Sequence, residues 1–184
     1  MVPVVRASSG EEAMQVIEAI REGGVPVLEI TMTVPRAVRV IEQVADRYGS
    51  EVVVGAGTVL DPETARACIL AGASFIVSPA LNAATIDLCR RYSVAVMPGA
   101  LTPTEVLTAW QAGADVVKVF PCGALGGAKY LKSLKAPLPQ IEMTRPAASR
   151  SRPRPSSSRR GRSRSASVPT SWTRRPSAPA RPRR

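Results

Sequence analysis

The sequence contains no histidine at any of its 184 positions. That excludes Ser-His-Asp triads, Cys-His dyads and the usual histidine-rich zinc and iron sites, so hydrolysis by a triad is out. Cysteine is scarce as well: Cys68, Cys89 and Cys122 form no CxxC pair, and a thiol without a histidine to activate it reads as inert rather than catalytic. No apolar run approaches the roughly 20 residues of a membrane span, and nothing resembles a signal peptide. A reduced, cytoplasmic setting with no membrane partner is expected. Acidic residues are missing from the whole C-terminal stretch. Residues 1–143 hold 12 of the 25 Lys+Arg and all 14 Asp+Glu, whereas residues 144–184 hold 13 arginines and no lysine. The net charge of +11 therefore belongs to the tail and says nothing of the preceding domain.

What is present up to residue 143 is an alternation of β-branched runs and helical patterns, the order of βα units around a parallel sheet. Strands are expected at Val2–Arg6, Val25–Thr31, Val52–Gly55, Ser74–Ser78, Val94–Met97, Asp115–Phe120 and Gln140–Met143. Between them, stretches such as Glu11–Arg21, with Ala13, Val16, Ile17 and Ile20 on one face, read as six amphipathic helices. Gly23-Gly24, Gly72 and Gly113 stand between a helix and the next strand, where a left-handed residue is wanted. Asp61-Pro62-Glu63 and Thr102-Pro103-Thr104-Glu105 place a cap residue before a proline at the first helical position. No GxGxxG follows the first strand, which favours a barrel over an open dinucleotide-binding sheet.

Reacting groups of a parallel α/β barrel sit at the C-terminal ends of its strands. Lys118 interrupts the apolar run Val116-Val117-Lys118-Val119-Phe120, where burying a cation costs several kcal/mol unless it neutralises or finds a partner. It is either a lysine reaching out from a strand edge or a desolvated amine able to attack a carbonyl. Glu29, inside Val27-Leu28-Glu29-Ile30-Thr31, is a second charge in an apolar strand and is expected to point into the same barrel mouth, as a proton carrier or as an ion-pair partner. Thr58, in the Gly55-Ala56-Gly57-Thr58 turn, offers a hydroxyl and nearby backbone N–H groups to a carboxylate, or simply caps a turn. Arg6 could clamp an anion or pair with an acidic surface residue.

Glu29-Ile30-Thr31, Gly55-Ala56-Gly57-Thr58-Val59-Leu60, Val77-Ser78-Pro79, Met97-Pro98-Gly99 and Lys118-Val119-Phe120-Pro121 resemble, in order, the motifs of the 2-keto-3-deoxy-6-phosphogluconate / 4-hydroxy-2-oxoglutarate aldolases over residues 2–143. The resemblance implies a (β/α)8 TIM-type barrel, usually trimeric, that cleaves a keto-deoxy acid to pyruvate and an aldehyde with neither metal nor cofactor. It implies Lys118 as the Schiff-base lysine and Glu29 as the general acid/base. Thr58 would then hold the pyruvate carboxylate, with Arg6, Thr33, Gly57, Ser78, Pro79, Pro98 and Phe120 as further substrate-binding positions. Some members carry an arginine four residues after the glutamate; Thr33 stands there in this sequence, and Arg6 is expected to supply the charge.

The chain also departs from the family after its seventh strand. A Pro-Thr-Gly-Gly loop, another helix and a final strand with a glycine-rich turn are expected, to hold the substrate phosphate. The sequence has Arg145-Pro146-Ala147-Ala148-Ser149 and then Arg, Ser and Pro to its end. The barrel is thus expected to be incomplete, with strands 1–7 in residues 1–143 and a disordered basic tail over residues 144–184. Written CGA CCG GCG GCG TCN, that pentapeptide yields Pro-Thr-Gly-Gly-Val when one base is restored ahead of it. The same shifted frame across Arg164 to Trp172, with third bases chosen freely, permits Val-Gly-Val-Gly-Ala-Asp-Leu-Val. The tail is therefore read as a frame-shifted barrel end and not as a sequence-specific nucleic-acid binder, the competing reading being an inactive barrel whose basic tail binds nucleic acid by counterion release.

Overall fold

The computed structural model describes residues 2–146. Its elements run β1 (Val4–Val5), α1 (Gly10–Glu22), β2 (Val27–Thr31), α2 (Ala37–Tyr48), β3 (Val53–Gly57), α3 (Pro62–Leu70), β4 (Phe75–Val77) and α4 (Ala83–Arg91). They continue with β5 (Ala95–Met97), β6 (Gly99–Ala100), α5 (Pro103–Ala112), β7 (Val117–Val119), α6 (Ala128–Lys135) and β8 (Met143–Thr144). Every strand pair is parallel, in the orders β1-β2-β3-β4-β5 and β6-β7-β8. The break between the two groups falls at Pro98, which has no N–H to give to a ladder. Residues 95–100 nevertheless bridge them: Met97 O accepts from Ser78 N at 3.1 Å, while Pro98 O and Ala100 O each accept at 2.9 Å, from Lys118 N and Phe120 N. The result is a continuous parallel wall, the seven-strand part of a TIM-type barrel.

Alternation sorts the side chains of this wall. Val5, Leu28, Ile30, Val54, Ala56, Ile76 and Val96 are buried in one apolar cluster with Ile17, Val40, Ile41, Val44 and Ile86 of the helices. Val117 and Val119 join a second cluster with Val106, Ala109, Leu134 and Ile141. The positions between them, Glu29, Thr31, Gly55, Gly57, Phe75, Val77, Met97 and Lys118, belong to neither cluster and face the barrel interior. Burying the helix-facing residues at about 1.5–3 kcal/mol each is what fixes the register, since a slip of one residue would exchange the two faces.

Helix ends follow the sequence signals. Gly24, Gly72 and Gly113 have φ of +76°, +98° and +99°. At Gly113 the left-handed residue lets its N–H close onto Ala109 O and Trp110 O at the end of α5. Asp61 caps Thr64 N at 2.6 Å. Thr102 and Glu105 form a reciprocal capping box on α5. Thr102→Ala should therefore cost about 1 kcal/mol of stability, read as a lowered urea midpoint with unchanged slope.

Some expectations need correction. Val16 is exposed, and Met14 joins Ala13, Ile17 and Ile20 against the core; Met14 and Val16 flank the Ala13–Ile17 stripe at equal angles of about 80° on opposite sides, and the core covers the Met14 side. The strand expected at Gln140–Met143 lies at Met143–Thr144, since Pro137 and Pro139 lead into a turn closed by Ile141 N on Leu138 O at 3.2 Å. The strand expected to stop at Gly55 runs to Gly57, and the fifth strand resumes beyond Pro98 as β6. The expectation of a disordered tail concerns residues that, from 147 onward, lie outside the described ones.

Candidate active site

Two charged side chains come from separate apolar strands, β2 and β7, and share the inward face of the wall. Glu29 on β2 is 7% exposed, and Lys118 on β7 is half-buried. Burial pushes the Glu29 carboxyl above the ordinary carboxylate range, against the opposing pull of Lys118 and then Arg6. Burial likewise holds the Lys118 amine below the ordinary lysine range; Glu29 opposes that shift and Arg6 adds to it. The three groups thus share one electrostatic neighbourhood, with Arg6 exposed just past the end of β1. Among the described residues, neither Glu29 nor Lys118 is locked in an ion pair. Phe120, on the same face as Lys118, places its ring centroid 5.4 Å from Nζ and gives the amine an apolar flank.

The turn after β3 is held from both sides. Gly57 O accepts from Met32 N at 2.8 Å, and Val59 N donates to Val77 O at 3.1 Å. Between them Thr58 has φ +59°, a left-handed conformation that costs a β-branched residue about 1–3 kcal/mol and is tolerated where the surroundings dictate it. Thr33, exposed beyond β2, shares a 2.6 Å hydroxyl contact with Thr31, whose own hydroxyl also lies 3.3 Å from Val5 O. A neutral hydroxyl pair therefore links the end of β2 to the end of β1.

The remaining expected positions serve the wall as much as its mouth. Ser78 is buried, and its hydroxyl accepts from Ala80 N at 3.2 Å in a local turn. Pro98 anchors β7 through Lys118 N. Pro79 lies against Gly99 so closely that a Cβ there would come within 2.2 Å of its carbonyl carbon and oxygen. Sequence reasoning overlooked Phe75, whose ring lies over Gly55 and floors the mouth; a Cβ on Gly55 would meet that ring at 2.1 Å. The signal was available in two glycines two residues apart on one inward face.

Burial raises the thiols of Cys68 and Cys89 to about 11, in keeping with inert cysteines. No helix of the described residues is long and apolar enough to cross a membrane. A hollow of about 670 Å³ between α1 and α2, lined by Gly10, Glu11, Met14, Gln43, Asp46 and Arg47, lies outside the barrel and offers neither an amine nucleophile nor a buried carboxylate.

Fold and site together define the seven-strand part of a parallel α/β barrel with a half-buried lysine and a buried carboxylate on the inward faces of β7 and β2. The chain matches the family model "KDPG and KHG aldolase" over residues 1–148 and belongs to that family. It is 36% identical over 139 residues to the 2-dehydro-3-deoxy-6-phosphogalactonate aldolase of Escherichia coli K12, covering 76% of this chain and 67% of that protein. It is 34% identical over 137 residues to the 2-dehydro-3-deoxy-phosphogluconate aldolase of Treponema pallidum, covering 74% of this chain and 65% of that one. The crystal structure of the Legionella pneumophila KDPG aldolase, with pyruvate captured as a covalent carbinolamine, aligns with a TM-score of 0.72 at 29% identity, covering 77% of this chain and 68% of the other. The chain thus spans about two thirds of the length of these relatives.

Proposed function

We propose that this chain is a class I aldolase acting on 2-keto-3-deoxy-6-phosphogluconate, with Lys118 as the Schiff-base amine and Glu29 as its proton carrier. The observation that carries the reading is the pairing itself: an amine held below its ordinary basicity and a carboxyl held above its own, acting on each other from inward-facing positions of β7 and β2. A neutral Lys118 attacks the C2 carbonyl, and the carbinolamine hydroxyl leaves as water after taking a proton from Glu29. In the protonated imine, the C3–C4 electron pair moves toward nitrogen as the bond breaks. The C4 hydroxyl gives its proton to Glu29, releasing the aldehyde and leaving an enamine at C2–C3. Protonation at C3 and hydrolysis then return pyruvate and free lysine. In this reading Thr58 and Arg6 hold the carboxylate, with Thr33, Gly57, Ser78, Pro79, Pro98 and Phe120 around the substrate.

The substrate has two neighbours in chemistry, the phosphogalactonate epimer and unphosphorylated 4-hydroxy-2-oxoglutarate, and the relatives are named for all three. Assembly as a homotrimer in the cytoplasm belongs to the same proposal, as does reading residues 144–184 as the product of a shifted frame. Pyruvate with borohydride should label the full chain at one lysine. Cleavage of the two phosphorylated epimers should be slow in the chain as it stands and rise in a version with the frame restored, because the shifted frame permits the expected phosphate loops. Equal efficiency of both versions on the phosphorylated substrates would place the phosphate site within residues 1–143. Absence of any adduct, together with salt-dependent nucleic-acid binding, would favour the basic-tail reading.

A further inference from the structure

Position 57 has a backbone that any residue could adopt, since its φ is not in the left-handed region, yet it carries no side chain. Space is the reason. A Cβ built on Gly57 would lie 1.9 Å from Glu29 Oε1, 2.6 Å from its Cδ and 2.8 Å from its Cγ. Glu29 pairs in register with Gly55, two residues earlier on β3, and Thr31 pairs with Gly57. The space over Gly55 is filled by the Phe75 ring coming from β4. The Glu29 side chain therefore leans along its strand to the next inward position and lies flat on the β3 backbone.

We infer that Gly57 is a positioning residue for Glu29: by lacking a side chain it seats the carboxylate against β3, in place for proton transfer at the carbon skeleton bound to Lys118. This assigns Gly57 a role on the enzyme's own acid/base, in addition to lining the mouth, and rests on the aldolase reading. The β3 backbone has little freedom to yield to an added methyl. Gly57 O is tied to Met32 N at 2.8 Å, and the following Thr58 is already in a left-handed conformation between that tie and the one at Val59. The carboxylate, at the far end of a flexible side chain, is what moves.

The test uses Gly57→Ala, Glu29→Gln and their combination in the full chain. Exchange of solvent deuterium into the pyruvate methyl requires C3 of the imine to lose a proton to a base, with the C–H electrons forming the enamine, and to regain a deuteron from it. The endpoint of borohydride trapping requires the Lys118 amine and bound pyruvate, because irreversible reduction collects the imine however slowly Glu29 or solvent protonates the departing hydroxyl. Gly57→Ala should keep its trapping endpoint within about twofold and lose about 100-fold in exchange, as Glu29→Gln does. In the Glu29→Gln background it should change exchange by less than about threefold, the non-additivity of two changes acting through one group. Wild-type exchange in Gly57→Ala, or an equal loss in both backgrounds, would overturn the inference. Should Gly57→Ala fail to fold, its melting temperature in a Glu29→Ala background decides: recovery supports the seat, and the same collapse refutes it. If the unmodified chain takes no adduct, the aldolase reading fails, and the melting comparison alone still decides the contact.

Discussion

Lys118→Arg should reduce covalent trapping of pyruvate to background while leaving the far-ultraviolet circular dichroism unchanged. Arginine keeps the charge and much of the length of lysine, but its guanidinium is not deprotonated in proteins and cannot attack a carbonyl. The site already bears a cost for holding an amine there, because burial disfavours the ammonium and Glu29 only partly compensates. That cost has a chemical use: it raises the neutral fraction of the amine at a given pH. Trapping in the unmodified chain should accordingly rise with pH and level off below the range of a free lysine. Mass mapping after proteolysis distinguishes the alternatives. An adduct persisting in Lys118→Arg would move the nucleophile to Lys129, Lys132 or Lys135 on α6.

Much of this site could be read from residue order alone, for a physical reason. A charge in an apolar strand is costly wherever it lies, so Lys118 and Glu29 stand out without coordinates, and the period of two turns each into an inward-facing side chain once the outer face is assigned to helices. The helix starts at Asp61 and Thr102 were legible because capping is local chemistry. What escaped depends on contacts between strands. That Phe75 occupies the space over Gly55 and Glu29 the space over Gly57 is a property of neighbouring strands in register. The left-handed backbone of Thr58 escaped as well, since a β-branched residue gives no local hint of positive φ. Misplacement of the last strand came from treating Gln140 and Ile141 as extended, although the two prolines upstream lead the chain into a turn there.

Glu29→Gln should keep Lys118 reactive toward pyruvate yet lower turnover by about 10²- to 10⁴-fold, the usual range for a lost general acid/base. The amide has nearly the same size, so the change removes a titrating proton with little disturbance of packing. A second effect follows from the charges. Ionised Glu29 favours the ammonium form of Lys118, so removing that carboxylate takes away the influence that raises the lysine pKa, leaving burial and Arg6 to lower it further. The pH midpoint for trapping should therefore move down in Glu29→Gln even as cleavage slows. The sign is conditional in a useful way. Because burial raises the Glu29 carboxyl, the influence is absent at pH values below that group's own titration and present above it, so the two proteins should differ only on the alkaline side. Trapping endpoints across pH, beside steady-state cleavage rates, measure both effects. A midpoint that stays where it was, or moves up, would show that Glu29 does not act on Lys118 through its charge. Unchanged turnover would demote Glu29 from proton carrier to a structural neighbour of the lysine.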